Sequence, residues 1–400
     1  MIAGFLCNRV VLSLSMMLFG ANALLGVSPR RWPEQRWWLL GLVWVAAYAL
    51  SWFWSDDKAF WSDRVQTKLP FLLLPLAFGL LPAFTPKQLR YYTAGLCLLL
   101  LAGIGYSLSL FIADPEVYIA GYRQSHILPT PAHGDHIRFS MAVAAGIAWC
   151  LYLLPAMTRR LHRRLARMCI AAFIIYLHVL AAKTGLLAFY LLAVSWAAWQ
   201  LLQRKRLTGL LAIALVAAAM LLALRYLPTF SHRVAYSRYS YEQFMKGNIS
   251  GDYSDIGRVV SYELALQLIR AHPLTGVGAG DVLRAMSAAY DQWYPAIPPG
   301  QRLVPHNQFL TVGVAAGLIA LAFFCWWVFA PLARLRRGRE GFFFFVTWLL
   351  LLFFLMTDAS LEVQSGVFVY LFFLLWQRHA FLHAAPAATP GGINTTRDEL

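Results

Sequence analysis

Residues 168–202 read MCIAAFIIYLHVLAAKTGLLAFYLLAVSWAAWQLL, an apolar run with a single charge, Lys183, near its middle. A helix crosses a ~30 Å hydrocarbon layer in about 20 residues, so this stretch is too long for one crossing and reads as two. Basic runs flank it, Arg159-Arg160-Leu161-His162-Arg163-Arg164 before and Arg204-Lys205-Arg206 after. Clustered Lys and Arg favour the cytoplasmic side. Both flanks therefore face the cytoplasm, the stretch is a hairpin, and Lys183 sits at its outer tip.

The rest of the chain extends the pattern. Hydrophobic residues make up 60% and charged ones 13%, against about 25% charged in soluble domains, which excludes a soluble protein. Apolar runs predict eleven spans near 10–27, 37–54, 69–84, 91–113, 139–157, 168–182, 184–202, 207–224, 307–332, 341–357 and 363–377. A lone anchor and a monotopic helix are excluded. Ala21-Asn22-Ala23 after the first run also has the small-residue pattern of a signal-peptidase site, and a twelfth, weakly hydrophobic crossing stays open. The expected fold class is an all-α polytopic membrane protein with about 11–12 transmembrane helices and one large, partly helical periplasmic loop. The expected divisions are 1–224 and 307–379 as membrane helices, 225–306 as the loop, and 380–400, rich in Ala, Pro, Thr and Gly, as a disordered cytoplasmic tail. Its terminal Arg397-Asp398-Glu399-Leu400 is read as a coincidental likeness to a luminal retrieval signal.

The formal net charge of +16 would suggest nucleic acid in a soluble protein. Here topology accounts for it. With the N-terminus outside and the C-terminus inside, the cytoplasmic segments hold 19 Lys and Arg against 4 acids, and the outer segments 15 against 14. The basic excess is a topology signal and no nucleic-acid partner is expected. Cys7, Cys97, Cys150, Cys169 and Cys325 all fall in apolar runs without a CxxC pair, so they read as packing residues.

Polar chemistry collects in 225–306, far longer than a connection needs. Arg258 to Ala271 has apolar positions at helical spacing, Ser254-Asp255 supplies a cap, and His272-Pro273 ends the helix. Gly276-Val277-Gly278-Ala279-Gly280-Asp281 follows a helix rather than a strand, so a dinucleotide fold is rejected. It reads either as a helix-ending turn or as a turn whose N–H groups cradle a phosphate. Pro305-His306-Asn307 directly precedes a span. Lys183, Arg258 and His306 are all placed on the outer face by the charge count. Two cations with a base suit an anionic leaving group: the cations stabilise pyrophosphate and the imidazole takes a proton from an attacking hydroxyl. Snorkelling for Lys183 and interfacial hydrogen bonding for His306 are the plainer alternatives. Asp252, Asp255, Asp281 and Asp291 lack ligand spacing, so no metal is expected.

At these residues the chain resembles the O-antigen ligase/polymerase superfamily of bacterial envelope glycosyltransferases. His306-Asn307 followed by Gly317 fits one family element, with Ala320 where a Gly, Thr or Tyr is usual. Lys183-Thr184-Gly185-Leu186-Leu187 stands where the family has Arg-x-x-x-Leu, so charge is kept and the planar fork lost. Arg258, ahead of His272-Pro273-Leu274-Thr275-Gly276, resembles the loop arginine, and His136-Ile137-Arg138-Phe139-Ser140 resembles a further segment.

The resemblance implies a glycan donor on undecaprenyl pyrophosphate and transfer on the periplasmic face of the inner membrane. The acceptor would be a lipid A-core sugar (ligase), a lipid-linked repeat (polymerase) or a protein hydroxyl (O-oligosaccharyltransferase). It implies His306 as catalytic residue, and Arg258, Lys183 and Arg138 on the donor pyrophosphate. Asn307 and Gly317 are motif support, membrane lipids are partners, and no cofactor is expected. A transporter of the same lipid-linked glycan and a non-catalytic scaffold are competing readings. The first would show internal repeats, which are not evident; the second leaves the loop's His and Arg unexplained.

Overall fold

A computed structural model of the protein describes residues 1–25, 39–123, 126–131, 135–246, 254–335 and 338–382. Among them every regular element is helical. The chain runs through α1 (Ile2–Cys7), α2 (Arg9–Leu25), α3 (Leu39–Leu50), α4 (Lys58–Lys68), α5 (Pro70–Leu80) and α6 (Pro86–Ala113). Next come α7 (Pro115–Tyr122), α8 (His136–Leu153), α9 (Arg160–Leu180), α10 (Lys183–Leu202) and α11 (Arg206–Tyr226). The segment expected as one outer loop folds as α12 (Pro228–Met245), α13 (Ser254–Ala271) and α14 (Val282–Trp293). The chain then closes with α15 (Gln308–Phe329), α16 (Arg339–Thr357) and α17 (Gln364–Leu382). The tail from 383 and Asp252 lie outside the described residues.

All eleven expected spans fall on helices, but six are long and apolar enough to cross a membrane: α6, α8, α10, α11, α15 and α16. The other five fall short for visible reasons. α2 and α3 have 17 and 12 residues, and α5 has 11 with Pro75 inside. α9 spends its first two turns on arginines, and α17 carries Gln377-Arg378-His379 near its end.

The helices differ sharply in what they face. Only 11% of the apolar window of α11 is buried, against 67% for α8, so α11 presents its side chains to the surrounding apolar medium and α8 lies inside. Lipid tails are as apolar as leucine, so interior helices gain from close van der Waals approach rather than from leaving water. α8 has the small residues this needs: Ala142, Ala144, Ala145, Gly146 and Ala148 are buried, and α6, α9, α10, α16 and α17 all pack against it. A Cβ on Gly185 of α10 would meet Ser140 Cβ at 2.2 Å, so the start of α10 rests directly on the start of α8.

The glycine segment Gly276 to Gly280 is structural, which overturns its phosphate-cradling alternative. α15 breaks at Gly317, where φ is +80° and ψ −178°. The break frees helix carbonyls that must be satisfied inside a buried setting. Val277 N donates to Val314 O (2.8 Å), Gly278 N to Ala315 O (3.1 Å), and Leu318 N returns a bond to Pro273 O (2.7 Å). Neither glycine at the contact tolerates a side chain: a Cβ at Gly317 would lie 2.2 Å from Leu274 O, and Gly276 has φ +65°. The next donors, Ala279 N and Gly280 N, go to Ser51 Oγ and Ser55 Oγ at 3.1 Å each. Asp281 then accepts from Asp56 N (2.7 Å) and Asp57 N (3.2 Å). This seam ties α13 and α14 to α15 and to the α3–α4 link, and so fixes the end of the bundle where His306 lies.

Candidate active site

His306 is placed by its neighbours on both sides. Asn307 caps α15: its Oδ1 accepts from Phe309 N (2.9 Å) and Leu310 N (3.2 Å), and its Nδ2 donates to Met356 O (3.2 Å) at the end of α16. An Asn in extended conformation before a helix is a strong N-cap, so the motif asparagine has a structural task. The His306 carbonyl accepts from Tyr262 Oη of α13 at 2.7 Å. The imidazole thus projects from a backbone held by three helices.

Its Nδ1 lies 2.8 Å from Asp358 Oδ1. Asp358 ends α16 in extended conformation, and its side chain is only 5% exposed, against 24% for His306. Arg138 Nη2 holds the other carboxylate oxygen. Arg138 Nη1 also meets Asp135 Oδ1 at 3.3 Å, and Asp135, the N-cap of α8, accepts from Ser365 Oγ at 2.9 Å. Arg138 Nε is buried with no partner among the described residues. Burial by itself would raise the Asp358 carboxyl, but Arg138, the His306 contact and Arg258 outweigh it and hold the group below the usual carboxylate value. An ionised carboxylate only accepts hydrogen bonds. The neutral ring therefore carries its proton on Nδ1 and keeps the Nε2 lone pair, and no hydrogen bond to Nε2 occurs among the described residues.

Of the other expected residues, Arg258 is half-buried on α13 and close enough to Asp358 and Tyr262 to act on both electrostatically. Lys183 opens α10 after Ala181 takes the left-handed conformation (φ +47°), two residues before the Gly185 contact with Ser140. Ser140 is two residues from Arg138, so Lys183 belongs to the same end of the bundle as Arg138, His306 and Arg258.

Sequence reading missed the acids. Asp358 and Glu362 lie on the short link between α16 and α17, and Glu362 organises a second network beside the first. Lys68 Nζ is 2.9 Å from Glu362 Oε2 and Arg64 Nη1 3.8 Å from it; Gln308 Nε2 and Tyr48 Oη reach Oε1 at 2.9 and 3.3 Å. The available signal was two acids between two long apolar runs, since ionisable groups at membrane depth are costly and kept for a purpose.

A family model described as O-antigen ligase matches residues 168–325. Over this segment the chain is similar to the O-antigen ligase family, which supports the resemblance to the O-antigen ligase/polymerase superfamily. The matched segment runs from within α9 to within α15 and contains Lys183, Arg258, His306, Asn307 and Gly317, whereas Arg138, Asp358 and Glu362 lie outside it. No curated protein matches the chain. The match supports a membrane glycosyltransferase-like enzyme with ligase or polymerase-type glycan transfer, acting on lipid-linked glycan and glycan acceptors in general.

Proposed function

We propose that this chain, as its similarity to O-antigen ligases suggests, transfers a glycan from undecaprenyl pyrophosphate to an acceptor hydroxyl at the periplasmic face of the inner membrane. A lipid A-core sugar is the acceptor of first choice; a polymerase or protein O-oligosaccharyltransferase differs only in the hydroxyl offered. The observation that carries the reading is the His306 Nδ1–Asp358 contact at 2.8 Å among Arg138 and Arg258. In this reading Asp358 holds the imidazole with Nε2 available, and Nε2 takes the proton of the acceptor hydroxyl. The acceptor oxygen forms a bond to the anomeric carbon as the bond from that carbon to the pyrophosphate oxygen breaks. Undecaprenyl pyrophosphate leaves from the opposite side, so the configuration inverts.

Arg258 and Lys183 face the phosphates of the leaving group, where charge-assisted hydrogen bonds stabilise developing negative charge. Arg138 has its two terminal nitrogens on Asp135 and Asp358, so its first task is to hold Asp358, and its unpaired Nε–H is what it has left for a donor oxygen. The site's charges are cations and a dyad rather than a carboxylate cage, and the pyrophosphate bond already stores the energy of transfer. The reaction accordingly runs without divalent metal or ATP.

The test is a purified transfer assay with undecaprenyl pyrophosphate-linked glycan, offering lipid A-core, a second lipid-linked repeat and a pilin-type protein in turn, with and without EDTA. Transfer to one acceptor, unaffected by EDTA, is expected. No product with any of the three, or activity lost in EDTA and restored by Mg²⁺, overturns the reading. Orientation is checked by single cysteines at Lys246 and Gly338 in spheroplasts. An impermeant reagent should label the first alone, and equal labelling at both would overturn the orientation and the mechanism with it.

A further inference from the structure

The end of the bundle opposite His306 carries a different feature. α8 starts with Arg138 at the His306 end and finishes at the other, where the turn Leu154–Ala156 leads towards α9. α9 opens Arg160-Leu161-His162-Arg163-Arg164-Leu165-Ala166-Arg167-Met168. Arg160, Arg164 and Arg167 are exposed and recur at the spacing of one helix face. Leu161, Leu165 and Met168, each one residue on, form a parallel stripe that is 64%, 49% and 66% exposed.

The remaining positions are used internally. Ala166 is buried, and Arg163 donates through Nε and Nη2 to Met157 O at 3.3 and 2.8 Å. Arg339, at the start of α16, likewise donates to the carbonyls of Leu151 and Tyr152 that end α8 (2.7 and 3.2 Å). By contrast, the side chains of the three stripe arginines make no hydrogen bond or ion pair among the described residues. No Asp or Glu occurs between Asp135 and Glu242, and Glu340 is the acid that α16 brings to this end.

A topology signal needs positive charge near the membrane but no order within it. Here the charge is ordered, a cationic stripe alongside an exposed apolar one on a single helix. We infer that this double stripe is a binding site for an anionic phospholipid of the leaflet it faces. The phosphodiester lies on Arg160, Arg164 and Arg167, and an acyl chain runs along Leu161, Leu165 and Met168. Charge complementarity selects the acidic headgroup. The apolar stripe selects a lipid over a free anion, which has nothing to lay against leucine. The inference stands independently of the proposed glycan transfer.

The full-length protein in uncharged detergent, given equal amounts of dioleoylphosphatidylglycerol and dioleoylphosphatidylcholine, is read by native mass spectrometry. Wild-type protein should retain phosphatidylglycerol preferentially. The combined variant Arg160→Gln, Arg164→Gln, Arg167→Gln should lose that preference by about tenfold or more, and the same three positions changed to Lys should keep it. Arg164→Gln alone, should the triple variant not fold, is expected to lower the ratio several-fold. Arg238→Gln with Arg270→Gln, exposed cations of the segment between α11 and α15, should leave the ratio unchanged. An unaltered preference in the glutamine variants, an equal loss in the Arg238 and Arg270 control, or displacement of the lipid by inorganic phosphate would each overturn the site.

Discussion

Asp358 and Glu362 sit four residues apart on one link, the first buried and the second nearly so, both among cations, yet they finish in opposite arrangements. Glu362 is saturated: Lys68, Arg64, Gln308 and Tyr48 surround its carboxylate, and Lys68 is completely buried and also bonded to Leu361 O at 2.7 Å. Asp358 is bonded to a histidine that stays 24% exposed and, among the described residues, keeps one ring nitrogen unengaged. A closed network of buried charges holds the chain in one geometry, whereas an open one holds a reactive group ready. The first fixes the link and, through Gln308, the start of α15. The second uses that fixed link to aim an imidazole.

The largest effects should come from breaking the open network. His306→Gln keeps size and polarity but cannot accept a proton, and turnover should fall by about 10² to 10⁴ while donor binding, measured with labelled lipid-linked glycan, is preserved. Asp358→Asn should cost at least about 10² in turnover, because an amide can present a donor to Nδ1 and reverse the tautomer. Weak donor binding with normal turnover at saturation in the His306 variant would make it a binding residue.

The closed network should fail differently. Lys68→Met removes one partner of a buried ion pair, which typically costs about 3–5 kcal/mol. It should lower the melting temperature in detergent, with specific activity of the folded fraction near wild type. Burial alone would raise the Glu362 carboxyl, but Lys68, Arg64 and Gln308 bring it below the usual value, as the arginines and His306 do for Asp358. A depressed carboxylate contributes stability that is complete above its unfolded value of about 4 and is lost as pH falls through the folded one. These two groups should therefore leave melting unchanged between about pH 5 and 8, and Glu362→Gln should diminish the loss seen below pH ~4. A turnover loss in Lys68→Met without any change in melting would erase the distinction between the two networks.

The contrast also explains what could be read from the chain. Helices were legible at all eleven expected positions because apolar periodicity and length survive in one dimension. His306, Arg258, Lys183 and Arg138 were legible because each stands at a boundary between an apolar run and a polar one. Asp358 and Glu362 were not, since their roles come from Arg138, some 220 residues earlier, and Lys68, some 290 residues earlier. No local pattern announces such pairings. Only the phosphate alternative for Gly276 to Gly280 failed, and for the same reason: its N–H groups go to carbonyls at the helix break near Gly317 and to the hydroxyls of Ser51 and Ser55, all far away in the chain.

The smallest expected effect lies at Lys183, where the comparison can be sharpened rather than broken. It opens α10 beside the start of α8, at the His306 end of the bundle, and in the proposed reading its ammonium stabilises a donor phosphate. A contact of that kind contributes about 1.5–3 kcal/mol, so Lys183→Ala should lose about tenfold or more in transfer. Lys183→Arg should retain most activity, because the point charge is kept and the planar fork adds a second hydrogen bond where space allows. The measurement is transfer rate against donor concentration. A donor-binding lysine shifts the concentration needed for half-maximal rate in the Ala variant, and the Arg variant recovers it. If Ala and Arg variants both match wild type, Lys183 merely extends along the helix surface to water, and the phosphate contacts of the open network reduce to Arg258 and the remaining donor of Arg138.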